Sequence, residues 1–106
     1  MKYQVIVNVD AQRDIHSIYN YLAVQKRSRQ NARRTEARLR KELASLSEMP
    51  ERYARYDREP FFSKGVRRMT VGKYCVFYLP DQETQTVHIL RVVYGARDLD
   101  YILAEY

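Results

Sequence analysis

The chain has 106 residues, 45% of them hydrophobic, and a formal charge of +6. That length and composition fit one folded domain spanning residues 1–106 and argue against disorder. No apolar run approaches the ~20 residues of a membrane span. The opening MKYQVIVNVD lacks the features of a secretory leader, and the single cysteine, Cys75, excludes an internal disulfide or a cysteine-cluster zinc site. The expectation is a cytoplasmic protein with no cofactor and no metal.

Residues 2–9 alternate, with Tyr3, Val5, Val7 and Val9 on one side and Gln4, Ile6 and Asn8 on the other. This predicts a strand with one better-buried face. Asp10 is placed to cap a helix running to about residue 25. Ala11, Ile15, Ile18, Tyr19 and Leu22 form its apolar stripe, and Asp14 suits the dipole near its first turn. A polar connection over residues 26–31 leads to a second helix, from about residue 30 to 48, that buries Ala32, Leu39, Leu43 and Leu46 until Pro50 stops it. The two helices read as a hairpin whose stripes must both be covered by one face of a sheet.

Residues 51–64 have no clean period and form a loop ordered in part by Phe61 and Phe62. Three short runs rich in Val, Ile, Tyr and Phe follow, at residues 66–71, 74–79 and 87–94. Gly72-Lys73 joins the first two, and a polar span with Pro80-Asp81 joins the second two, so the reading is an antiparallel meander. After Gly95, the residues Leu99, Ile102 and Leu103 allow a short terminal helix. The fold class is α+β in the order β-α-α-β-β-β(-α), a meander sheet packed against a helical hairpin.

Charge is concentrated. Lys26, Arg27, Arg29, Arg33, Arg34, Arg38, Arg40 and Lys41 face only Glu36 and Glu42, and residues 49–73 add another basic stretch. Such a helix is either a solvated face or a surface for an acidic partner, nucleic acid or protein, and charge does not separate these. Arg67, Arg68, Lys73, Arg91 and Arg97 decorate the meander, with Tyr94 among them. They are expected to gather on one accessible platform that binds a target or nucleic acid.

The order βααβββ, the run VGKYCVFY, the ending ILRVVYGARDL and the opening helix DAQRDIHSIYNYLA resemble the RelE/ParE superfamily of type II toxin–antitoxin toxins, often labelled plasmid-stabilisation proteins. The resemblance covers nearly the whole chain. It implies a small basic toxin neutralised by a cognate antitoxin, whose C-terminal segment docks as a helix or an added strand against the meander and helix pair. It also implies one of two activities: RelE-like mRNA cleavage at the ribosome, or ParE-like inhibition of DNA gyrase without a hydrolytic site. A third possibility is an inactive relative acting only within an antitoxin complex. Homodimers and toxin–antitoxin hetero-oligomers are both compatible with the sequence.

Metal-free RNA cleavage needs a group to activate the 2′-hydroxyl, an acid for the leaving oxygen, and cations on the developing charge. In the superfamily's ribonucleases these roles fall to Lys, Arg and Tyr, or to Glu, Arg and His. By resemblance, Arg68 stands where one basic residue is expected and Tyr101 where the tail tyrosine is, with Arg91 and Arg97 as further candidates. Cys75 stands where those enzymes carry an arginine, and Gly95 replaces the arginine closing the last strand, with Arg97 two residues on. The incomplete set favours the ParE-like, non-enzymatic branch.

His16 and His88 are poor catalytic candidates by position. Cys75 reads as a structural thiol rather than a nucleophile. Tyr94 is a poor base at neutral pH and reads as a residue closing the core. Arg91 interrupts an apolar strand, so it either anchors Asp98 or another acid, or faces a ligand.

Overall fold

The alternating first strand and the three later apolar runs combine in one sheet. In a computed structural model that describes residues 2–95, β1 (Gln4–Val7), β2 (Arg67–Val71), β3 (Tyr74–Asp81) and β4 (Thr86–Tyr94) lie in the order β1-β4-β3-β2. β2, β3 and β4 form the expected antiparallel meander, whereas β1 pairs parallel to β4 in the register Gln4↔Thr86 to Val7↔Ile89. The sheet is therefore mixed. The anticipated terminal helix, with Arg97, Asp98 and Tyr101, lies outside the described residues.

β1 ends sooner than its alternation suggested. Asn8, not Asp10, occupies the cap position of α1 (Val9–Asn20), with extended backbone and no side-chain cap bond. The reason is the sheet. Asn8 N–H donates to the Ile89 carbonyl at 3.0 Å, while its own carbonyl accepts from Gln12 N–H at 2.9 Å. The last sheet bond and the first helical bond share one residue, so Val9 turns outward and is 65% exposed.

Helical structure does reach residue 25, but Tyr21–Gln25 widens into a π-helical turn. Residues 26–28 reverse the chain through Arg27 at φ 51°. α2 (Arg29–Ser45) then begins at Ser28, whose hydroxyl accepts from Asn31 N–H at 3.2 Å. It stops before Pro50, which instead opens a 3-10 turn, Pro50–Arg52, after Met49 in left-handed conformation. Ala11 and Ile15 of α1 and Leu39, Leu43 and Leu46 from the α2 side pack on Met69, Val71, Val76, Tyr78, Val87, Ile89 and Val92. This is the expected hairpin-on-sheet core.

The opposite face carries a second cluster. Tyr56 and Phe61, from the segment read as a loop, cover Val66, Cys75, Phe77, Leu90 and Val93. A short α3 (Phe61–Lys64) ends at Gly65, whose φ of 87° suits glycine. Tyr56 N–H donates to the Val66 carbonyl at 2.9 Å and Arg68 N–H to that of Ala54 at 3.3 Å. This segment thereby covers part of the outer edge of β2. The Cys75 side chain is buried within that cluster.

Two details depart from simple strand patterning. Pro80 lies inside β3 opposite Val87, beyond the last β2 pair, Arg67↔Tyr78, where β3 has no neighbour on its other side. A bulge at Leu90 separates the pairs Phe77↔Arg91 and Tyr78↔Ile89. It changes which alternate residues of β4 face the helices: Val87 and Ile89 before it, Val92 after it. Without the bulge, Arg91 would continue the buried row.

Tyr78 is fully buried and donates its hydroxyl to the Pro50 carbonyl at 2.6 Å. Burial, outweighing the opposing pull of Arg67 and Arg52, pushes its pKa up to about 12. The unfolded tyrosine ionises near pH 10, so the stability from this neutral, bonded hydroxyl is complete below pH 10 and is lost as pH rises towards 12. Tyr78→Phe should cost about 1–3 kcal/mol in urea unfolding at pH 7 by orphaning the Pro50 carbonyl. The variant should also show a shallower loss of stability between pH 10 and 12 than the unmodified chain.

Candidate functional site

The expected single basic platform does not form. Period-two alternation sends Arg67 and Arg68 to opposite faces of β2. Arg67 follows the row of Met69 and Val71, and its guanidinium donates to the carbonyls of Tyr53 at 2.7 Å and Glu51 at 3.2 Å. It ties the 3-10 turn to the sheet. Arg68 lies on the other face, exposed, with its guanidinium 5.6 Å from the centre of the Tyr56 ring.

Arg91 is held by a partner the sequence had assigned to the helix dipole alone. Its Nε donates to Asp14 Oδ2 at 2.7 Å and its Nη2 to Asp14 Oδ1 at 2.9 Å. Asp14 Oδ2 also accepts from Val92 N–H at 2.9 Å. β1 pairs with β4 only as far as Ile89. Beyond that point the Asp14 carboxylate supplies the acceptor that a longer β1 would have given.

Lys73 and Tyr94, together with Arg91 and its partner Asp14, border a groove of about 1240 Å³ between the helical hairpin and the far end of the meander. Ile18, Tyr21, Leu22, Val71, Tyr74 and Tyr94 give it an apolar and aromatic lining, while Lys26, Arg38 and Lys73 add charge. Tyr94 does not close the core, as its sequence position suggested. It is 47% exposed and stands edge-on to Tyr74, with ring centres 6.2 Å apart. The hairpin turn brings Lys73 here, and Gly95 N–H donates to the Lys73 carbonyl at 2.9 Å, fastening the end of β4 to that turn. Gly72 adopts φ 57°, and a side-chain carbon there would sit 3.2 Å from Arg38 Nη1.

Burial, followed by the neighbouring Tyr94 and Tyr21, holds the Tyr74 hydroxyl above its ordinary range, so it stays neutral at pH 7. His16 lies exposed on α1 beside Asn20, away from the groove lining. Among the described residues no group of three or more His, Cys, Asp or Glu is placed to hold a metal. Across the sheet, a shallower notch of about 430 Å³ is lined by Tyr53, Ala54, Arg55, Tyr56, Asp57, Arg68 and Thr70.

The sequence reading did not single out Tyr21, Tyr74 or Arg55, and it placed Lys26 and Arg38 only within the basic segment of residues 26–42. Tyr21 is 51% exposed although it lies within an amphipathic helix, and that signal was available. The π turn that aims it into the groove had no sequence signature. No helix among the described residues is long and apolar enough to cross a membrane.

A family model described as the ParE toxin of the type II toxin–antitoxin system parDE matches residues 5–99. The chain is similar to a structure of the toxin–antitoxin complex RelBE2 from Mycobacterium tuberculosis, with 28% identity, TM-score 0.65, and coverage of 89% of this chain and 99% of that one. It shares its fold with the chromosomal ParDE system of P. aeruginosa, at 18% identity and TM-score 0.71, covering 88% and 96%. It also shares it with a double mutant of the E. coli toxin RelE in the free state, at 15% identity and TM-score 0.67, covering 99% and 96%. No curated protein sequence matches the chain.

Asp14→Asn keeps the shape but removes the charge facing Arg91, and should cost about 2–3 kcal/mol in chemical denaturation, as for charge-assisted hydrogen bonds. A double-mutant cycle with Arg91→Met should return a coupling of about 1–3 kcal/mol. Additive losses would show that the two side chains act independently.

Proposed function

The chain belongs to the ParE toxin family of type II toxin–antitoxin systems, and from that premise we propose that it is a toxin that inhibits DNA gyrase in the cytoplasm and is held inactive by a cognate antitoxin. The observation that carries the gyrase reading is the state of the sheet cations. Arg67 is bound to backbone carbonyls and Arg91 to Asp14, while Cys75 is buried where the superfamily's ribonucleases place an arginine. Neither arginine is free to stabilise a developing phosphorane, and losing one such donor typically costs ~2.7–4 kcal/mol of transition-state stabilisation. A binding poison has no such requirement.

The groove suits the antitoxin. Its exposed Tyr21 and Tyr94 are aromatic anchors, and Lys26, Arg38 and Lys73 complement acidic flanks of an amphipathic segment laid against the helical hairpin. Ribosome-dependent mRNA cleavage is the second reading, favoured by one feature. Arg55 and Arg68 line the outer notch, two cations able to receive a phosphate.

Expression without the antitoxin should produce gyrase-dependent double-strand breaks and an SOS response while translation initially continues. Immediate translation arrest with mRNA cut at ribosome-positioned codons would instead establish the second reading. In isothermal titration with the product of the adjacent antitoxin frame, Tyr21→Ala and Tyr94→Ala should each weaken binding about tenfold or more, with Phe62→Ala on the opposite face close to neutral.

A further inference from the structure

α2 carries Arg29, Arg33, Arg34, Arg38, Arg40 and Lys41, all exposed, against Glu36 and Glu42, which are partly covered. Arg40 is drawn to Glu36 at 3.7 Å and to Gln12 at 3.3 Å. Among the described residues the other five side chains make no hydrogen bond or ion pair. Like charges also recur at the i,i+4 spacing, Arg29 with Arg33 and Arg34 with Arg38, an arrangement that works against a helix in isolation. A polyanion laid along the helix reverses that effect.

The chemistry of the face selects the partner. Five of its six cations are arginines, whose planar fork matches phosphate oxygens. A protein partner fits less well, because interface centres are depleted of charge and built on aromatic anchors. Among the described residues no large apolar side chain of α2 is exposed; Tyr21 and Val24, which are, precede it. At 100° per residue, Lys41 and Arg34 lie opposite the buried Ala32, Leu39 and Leu43, and Arg33 lies about a quarter-turn from that stripe, at the edge of the outward face. The helix has 17 residues, about 25 Å of length. A B-form major groove admits an α-helix, whereas the deep, narrow major groove of an A-form duplex does not.

We infer that the outward face of α2, centred on Arg33, Arg34 and Lys41, is a sequence-independent docking surface that lies along the major groove of B-form duplex DNA and contacts the phosphates flanking it. It is separate from the groove lining and from the notch around Arg68, and it does not depend on which target the toxin poisons. For a gyrase inhibitor it would hold the toxin on the DNA its target acts upon.

Fluorescence anisotropy of the full chain with a short labelled DNA duplex of arbitrary sequence tests this. Affinity should fall with salt with a log–log slope of about 3–4, the counterion release expected for about four phosphate contacts. Reversing Arg33→Glu, Arg34→Glu and Lys41→Glu together should weaken binding about tenfold or more and flatten that slope. The uncharged set Arg33→Gln, Arg34→Gln and Lys41→Gln should move the same way and guards against misfolding. The same charge change at Lys2, Arg13 and Lys64 should alter affinity by less than about threefold. Equal loss in that control would mean net charge alone is at work. Equal competition by an A-form RNA hairpin or by polyglutamate, or no salt-dependent binding by the unmodified chain, would also overturn the inference.

Discussion

The Asp14 carboxylate joins α1 to the stretch of β4 that β1 does not reach. β1 runs parallel to β4, so the chain must cross over before it can return to the sheet, and it leaves β4 at Ile89 while β4 continues to Tyr94. The uncovered edge would present an orphaned Val92 N–H and a cationic Arg91 beneath α1. Asp14 satisfies both, with one oxygen shared between Arg91 Nε and Val92 N–H and the other on Arg91 Nη2. A partly buried guanidinium is costly unless it is paired and fully hydrogen-bonded.

That pairing determines what kind of site the molecule has. With α1 fastened at Asp14, the π turn at Tyr21–Gln25 carries Tyr21 over the end of the meander, and α2 returns alongside. The groove is the space left between a hairpin pinned at its middle and a sheet whose far end is tied by the Gly95–Lys73 bond. The same pairing holds Arg91 in place along the groove wall.

Much of the architecture was legible because it rests on local periodicity. The stripe Ala11, Ile15 and Leu22, the stripe Ala32, Leu39, Leu43 and Leu46, and the meander with its Gly72-Lys73 turn all follow from apolar spacing and turn chemistry. What was not legible depends on contacts distant in sequence. Asp14 reads as a residue favourable to a helix dipole until a strand 77 residues away supplies its partner. The bulge at Leu90 is invisible in a run of apolar residues, yet it decides which side Arg91 takes. Tyr56 and Phe61 sit in a stretch without period and still form the lid over the second face. The shared basic platform failed for a simple reason: adjacent strand residues such as Arg67 and Arg68 cannot point the same way.

The cations thus fall into two populations, distinguished by what they touch. Arg67 and Arg91 are engaged by backbone carbonyls and by Asp14 and act as structural ties. Those on α2 are set out on a helix whose packing needs are met entirely by Ala32, Leu39 and Leu43. A nuclease needs its charges converged within hydrogen-bond reach of one phosphorus atom, held rigid and aimed at a transition state. A row of arginines spread along a helix meets none of those conditions. It suits instead an extended polyanion, where position matters less than linear charge density.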